Sequence, residues 1–223
     1  MNVSDGKENY SQRNNKYIWN RNIRRIASFS MCNVTSMCMM LDYNGVKLPT
    51  GEYKQPEDNL AKFIMTSKKV DDRYKKEYGG LYRDYEEGTI DCYVPIEVHD
   101  LLAYGTNLWL RNNGVNNAEV KFNAQLPVKE LQNIVRVKKQ AVVVSGRIPQ
   151  AGSKTKVFNH IVTLVGLNDI GEVIFDDPYG FVDDNGAHYG DGRTGNDCVI
   201  GYDKFLKWFK PCDQQVKYAH YLV

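Results

Sequence analysis

The sequence predicts an α+β fold, with helices packed against one side of an antiparallel β-sheet. Three observations carry that expectation. Apolar residues recur three and four apart through the first half. Short β-branched runs bounded by turn residues fill the second half. The helices come first and the strands follow, an order that argues for α+β. The chain of 223 residues reads as a single domain over 1–223. Residues 1–10 are expected to be flexible, 17–115 mainly helical and 116–223 mainly sheet.

In "MCNVTSMCMMLDYNG", Met37, Met40 and Leu41 give one apolar face and Asn44-Gly45 stops the helix. Ser28 or Ser30 is the candidate cap at its start. "QPEDNLAKFIMTSKK" is a second helix, with Pro56 in its first turn, Glu57 and Asp58 favoured by the dipole, and Leu60, Phe63 and Ile64 as its stripe. Residues 70–92 are polar and rich in Tyr and Gly, and read as a loop or irregular insertion. "PIEVHDLLAYGTNLWLRNNG" is a third helix ended by Gly114. "AEVKFNAQ" alternates like a strand, and "PVKELQNIVRVKKQ" is helical through Leu131, Ile134 and Val135. "AVVVSGRI", "HIVTLVGLN" and "GEVIFDDP" read as consecutive strands of one sheet. A turn-rich loop over 183–197, a short helix "YDKFLKWFK" and a closing strand "VKYAHYLV" complete the chain.

Composition narrows the function. A net charge of +2 leaves no nucleic-acid footprint, and the short basic runs read as solvated helix faces. Five cysteines cannot all pair internally, and none forms a C-x-x-C pair, which disfavours zinc and suits a reducing compartment. No apolar run reaches the ~18 residues of a membrane span. The polar N-terminus lacks a signal-peptide core, so synthesis is expected in the cytoplasm.

The chemistry-bearing residues lie at element ends. Cys32 sits at a helix start, where unpaired N–H groups and the dipole favour a thiolate. His160 opens the strand "NHIVTLVGL", which would hold its ring rigidly at the sheet's edge. The next strand ends in "FDDPYG" with Asp176 and Asp177. If the two strands are antiparallel neighbours, "FDDP" lies beside His160, as a Cys–His–Asp arrangement requires. Taken alone, each residue has an ordinary explanation: a core sulfur, a satisfied strand histidine, a turn. Their joint placement does not.

These stretches resemble the papain-fold cysteine peptidases related to the double-glycine leader peptidases of bacteriocin exporters, in particular a stand-alone branch of phages and bacteria. "CNVTSMCMMLDYNG" is similar to the nucleophile helix, "NHIVTLVGLND" with "GEVIFDDPYG" to the histidine and Asp-Pro strands, "SQRNN" to the upstream glutamine segment, and "QPEDNL" to a second-helix signature. The resemblance implies a papain-like fold with Cys32 as nucleophile, His160 as base, and Asp177 orienting the histidine, with Asp176 as the fallback. It makes Gln12 the oxyanion donor beside the Cys32 N–H. Residues 16–31 lie between the "SQRNN" segment and Cys32, further than the pattern's usual few residues, so Asn14 and Asn20 stand as alternatives.

The expected activity is that of a cysteine endopeptidase or amidase needing no metal or organic cofactor. Its substrate would be a peptide or, in a phage setting, a peptidoglycan cross-link, as for an endolysin or virion enzyme. Such an enzyme would be released to the wall or carried on the virion. Acyl transfer, as in transglutaminases, is the enzymatic alternative, and an inactive papain-fold binding module the non-enzymatic one. The Asp/Gly loop 183–197 lacks the spacing of a calcium loop and reads as solvated, bordering the substrate cleft.

Overall fold

The computed structural model describes residues 7, 10–17, 31–78, 98–168, 171–209, 215–216 and 218–223. Helix and antiparallel sheet divide the chain as its sequence order implies. Helices α1 (Cys32–Tyr43), α2 (Pro56–Thr66), α3 (Lys68–Tyr78) and α4 (His99–Asn112) precede β1 (Val120–Asn123) and β2 (Leu126–Pro127). Then come α5 (Val128–Gln132), which runs on as a π-helical turn over Asn133–Val137, and β3 (Val142–Pro149), β4 (Val157–Leu167) and β5 (Glu172–Asp176). Two-residue strands β6 (Val182–Asp183) and β7 (Gly186–Ala187) lead to β8 (Cys198–Gly201), α6 (Tyr202–Phe209), β9 (Gln215–Val216) and β10 (Ala219–Leu222).

The main sheet has the order β1-β10-β3-β4-β5-β8, every pairing antiparallel. Alternation along its central strands feeds two cores. Val143 and Val165 turn toward Met37, Met40, Leu60, Leu102 and Trp109 of α1, α2 and α4. Val142, Val144, Val162 and Leu164 turn the other way, toward Leu131 and Ile134 and toward Phe205 and Phe209 of α6. The helices therefore do not all lie on one side, as the sequence order suggests. The apolar stripes of α5 and α6 need a face of their own, and the N-terminal helices already occupy the first.

Helix α1 is the centre of the first core. Val34, Met37, Cys38, Met39, Met40 and Leu41 are all fully buried, so the helix is covered all round and not along one face. Each buried Met or Leu is worth roughly 1.5–3 kcal/mol. Gly45, at φ +79°, ends the helix as the Asn-Gly pair predicts.

Residues 70–78, which the sequence suggests are loop, belong to helix α3. Only Val70 and Tyr74 face the core, too thin a stripe to recognise. The ion pairs Lys68–Asp72, Asp71–Lys75 and Arg73–Glu77 line its surface at i,i+4 spacing. The expected irregular stretch beyond Tyr78, residues 79–92, lies outside the described residues, as do Cys92 and Cys212. Strands β2 and β8 are too short for the alternation to reveal. Residues 10–17 carry an ordered 3-10 turn at Gln12–Asn14 with Gln12 and Asn15 buried.

Candidate active site

Cys32 is the first residue of α1 and is half-buried. The cap position is Met31, whose side chain makes no capping hydrogen bond, and within the first turn the Val34 N–H donates to Asn33 Oδ1 at 2.8 Å. Ser28 and Ser30 lie outside the described residues. Polar side chains fasten α1 to the sheet. One turn after Cys32, Ser36 donates to the Ile161 carbonyl at 3.1 Å, and Thr163 donates to the Ser36 carbonyl at 3.0 Å. At the far end, Asn44 exchanges two bonds with the Ala141 backbone (3.0 and 2.7 Å), and Tyr43 donates to Asp176 at 2.8 Å. A buried polar group must be paired, so these contacts fix both the depth and the rotation of the helix.

His160 lies on β4, opposite Gly146 of β3. It is thus on an interior strand and not at the sheet's edge. Rigidity comes from the β3 pairing. On the other side β5 stops at Asp176, which pairs with Thr163, and the chain just beyond it reaches the ring. His160 Nε2–H donates to Asp177 Oδ1 at 2.7 Å, and the ring also interacts with Cys32. With Nε2 engaged by the carboxylate, Nδ1 is the nitrogen left for sulfur. Burial opposes the imidazolium charge, but the Asp177 carboxylate and then Cys32 outweigh it, and the pKa is pushed up to about 10.

Asp177 is itself buried and held on both oxygens. Oδ1 also accepts the N–H groups of Tyr179 (2.7 Å) and Gly180 (3.3 Å), and Oδ2 accepts the Tyr189 hydroxyl (2.7 Å). Burial, then the neighbouring Asp177 charge, keeps the Tyr189 phenol far above its usual range, so it stays a donor. The Tyr179 and Tyr189 rings stand edge-on to His160, at 6.4 and 5.5 Å between centroids. The Asp177 N–H donates to the Gly195 carbonyl at 2.8 Å. A Cβ at Gly195 would lie 2.0 Å from the Asp177 carbonyl oxygen, so only glycine fits there. The fallback Asp176 is engaged elsewhere. It accepts Tyr43 and the Asp197 N–H (2.7 Å), and burial raises its pKa to about 6.

Gln12 is brought to this neighbourhood. Its backbone N–H donates to the Pro178 carbonyl at 3.0 Å, next to Asp177. Asn15 Nδ2 reaches Thr35 Oγ1 (3.2 Å) and Met31 Sδ (3.5 Å), in the first turn of the Cys32 helix. The segment therefore lies between the Cys32 helix and the Asp-Pro turn, despite its distance in sequence. Asn14 is exposed and lines a separate hollow with Tyr53, Lys54 and Gln55. Asn20 lies outside the described residues.

The 183–197 loop is tied to the candidate site. Through Tyr189, Gly195 and Asp197 it supports both aspartates. Its own carboxylates are engaged nearby: Asp183 with His188 (3.1 Å), Asp191 with Arg193 (2.6 Å) and Asp184 with the Gly201 N–H (2.8 Å). Arg13 donates to the Tyr189 carbonyl at 2.9 Å and stacks over Tyr179 at 4.5 Å, joining the Gln12 segment to this loop. Tyr179, Tyr189, Ser36 and Thr163 are supporting residues that the sequence does not single out. The only signal for them was two tyrosines near a buried carboxylate, and that carboxylate is recognised as buried only once β4 and β5 pair.

Fold and site together define an α+β protein carrying a Cys–His–Asp cluster, an arrangement suited to thiol nucleophilic chemistry. The model of the Peptidase_C39 like family matches residues 7–192, and the chain belongs to that family of cysteine peptidases. The match spans all four candidate residues and stops before β8. No curated protein matches the chain.

Proposed function

We propose that the protein is a papain-like cysteine peptidase working through Cys32, His160 and Asp177. The observation that carries this is the buried ring of His160, which donates to Asp177 and interacts with Cys32 at the start of α1. In the reaction, the Cys32 thiolate attacks a peptide carbonyl while His160 is imidazolium. The C–N bond then breaks as His160 gives its proton to the leaving amine, leaving a thioester on Cys32. Water, activated by the now neutral His160, hydrolyses the thioester and restores the thiolate–imidazolium pair. Asp177 keeps the ring oriented throughout. The Cys32 N–H and the Gln12 side chain stabilise the tetrahedral oxyanion; one such donor is typically worth ~3 kcal/mol.

Cleavage profiling on denatured proteins and on purified bacterial cell wall tests this reading. The wall is included because its cross-linking peptides are the substrate that the phage-type resemblance implies. New amino termini are expected with the wild type and none with Cys32→Ala, at unchanged thermal stability. Equal cleavage by Cys32→Ala overturns it. A labelled primary amine in the same reaction separates hydrolysis from acyl transfer, since incorporation of the label marks the latter.

A further inference from the structure

The acidic residues opening α2 are placed where a helix dipole favours them, but Asp58 is not used for its own helix. It is fully buried, and its carboxylate crosses to the Gln12 segment. Both oxygens accept the Lys16 N–H (3.0 and 2.8 Å), and one also accepts the Tyr17 N–H (2.9 Å). A buried carboxylate satisfied by two consecutive backbone N–H groups is a charge-assisted clamp. What it clamps matters. The 3-10 turn at Gln12–Asn14 is three residues long and cannot hold itself in place. Its position comes from the Gln12 N–H bond to Pro178 on one side and from Asn15 and Asp58 on the other.

We propose that Asp58 is a positioning residue for the reaction: its carboxylate holds the Lys16–Tyr17 backbone and thereby sets Gln12 beside Cys32. This rests on the reading of Gln12 as oxyanion donor. An oxyanion donor acts only if it is fixed before the charge develops, and small displacements forfeit most of its effect. Asp58 thus couples the packing of α2 to transition-state stabilisation without touching substrate.

Two reagents separate this role from a merely structural one. Acylation of Cys32 by p-nitrophenyl acetate passes through a tetrahedral oxyanion, whereas alkylation by iodoacetamide does not. With Cys32→Ala as background, Asp58→Asn is expected to slow acylation about 10-fold or more, while alkylation of Cys32 stays within about twofold of wild type. In a Gln12→Ala background, Asp58→Asn is expected to add no further loss. If Asp58→Asn does not fold, Lys16→Pro removes one donor from the other side of the clamp. Asn15 already has the extended backbone (φ −64°, ψ 140°) that precedes proline. The same acylation-specific loss is expected from it. Unchanged acylation in a folded clamp variant, an equal slowing of both reagents, or a full additional loss in the Gln12→Ala background overturns the inference. Full acylation by Gln12→Ala alone overturns the donor assignment first, and this inference with it.

Discussion

In the proposed reaction His160 sets the pH range, because its proton must reach the leaving amine. The charge and hydrogen bond of Asp177 work against burial and keep that proton on the ring up to about pH 10. Replacing Asp177 by Asn removes the negative charge and leaves burial in place, so the imidazolium pKa falls. The expected outcome is an alkaline limb of the rate profile that drops toward or below the ordinary imidazole range near ~6.5. The maximal rate should fall on the order of 10²-fold. A pH–rate profile of Asp177→Asn that keeps the wild-type alkaline limb contradicts this assignment. At this scale much was legible in the sequence. Cys32, His160 and Asp177 each announce themselves by residue type at the end of an element. Tyr189 and Asp58 do not, because a hydroxyl or carboxylate aimed at a distant backbone or side chain leaves no local pattern.

Elements place these residues more by polar pins than by propensity. Helix α1 is tied to β4 by Ser36 and Thr163 and to β3 by Asn44. The 183–197 loop is tied to the end of β5 through Gly195 and Asp197. Gly195 is the sharpest test of that loop. A methyl group there collides with the Asp177 carbonyl, and backbone must yield. Gly195→Ala is expected to lower activity at least ~10-fold with the far-UV circular dichroism spectrum retained. Wild-type activity in Gly195→Ala would mean that the loop does not set Asp177. The strong strands and long helices were readable from periodicity. Helix α3 was not, since two buried residues in eleven make no visible stripe. The loop's role was hidden because it depends on tertiary contact with β5.

Across the whole molecule, one sheet carries a core on each face, and the candidate site lies where α1 meets the ends of β4 and β5. Fold class and strand order of appearance followed from sequence. The two-sided helix arrangement did not, because an apolar stripe says that a helix is buried but not on which face. No helix among the described residues is long and apolar enough to cross a membrane. The N-terminal core also encloses a charge that it resists. Glu57 is buried, with Oε2 lacking a hydrogen-bond partner, and burial raises its pKa from 4.5 to about 7. The unfolded chain therefore loses this proton before the folded one does, and stability falls as pH rises from about 4.5 to about 7. Glu57→Gln removes that loss, which is at most about 3 to 4 kcal/mol. Thermal unfolding should show a gain at pH 8 relative to wild type and little difference at pH 4. An equal offset at both pH values contradicts the assignment.

The central claim is that Cys32 forms the covalent intermediate with His160 as its acid and base. Acid-quenched mass spectrometry of the protein mixed with a cleavable peptide tests it most directly. The predicted result is an acyl group on the peptide containing Cys32, absent in Cys32→Ala and strongly reduced in His160→Ala. Turnover of the same peptide with the acyl group on another residue, or undiminished acylation in His160→Ala, contradicts it.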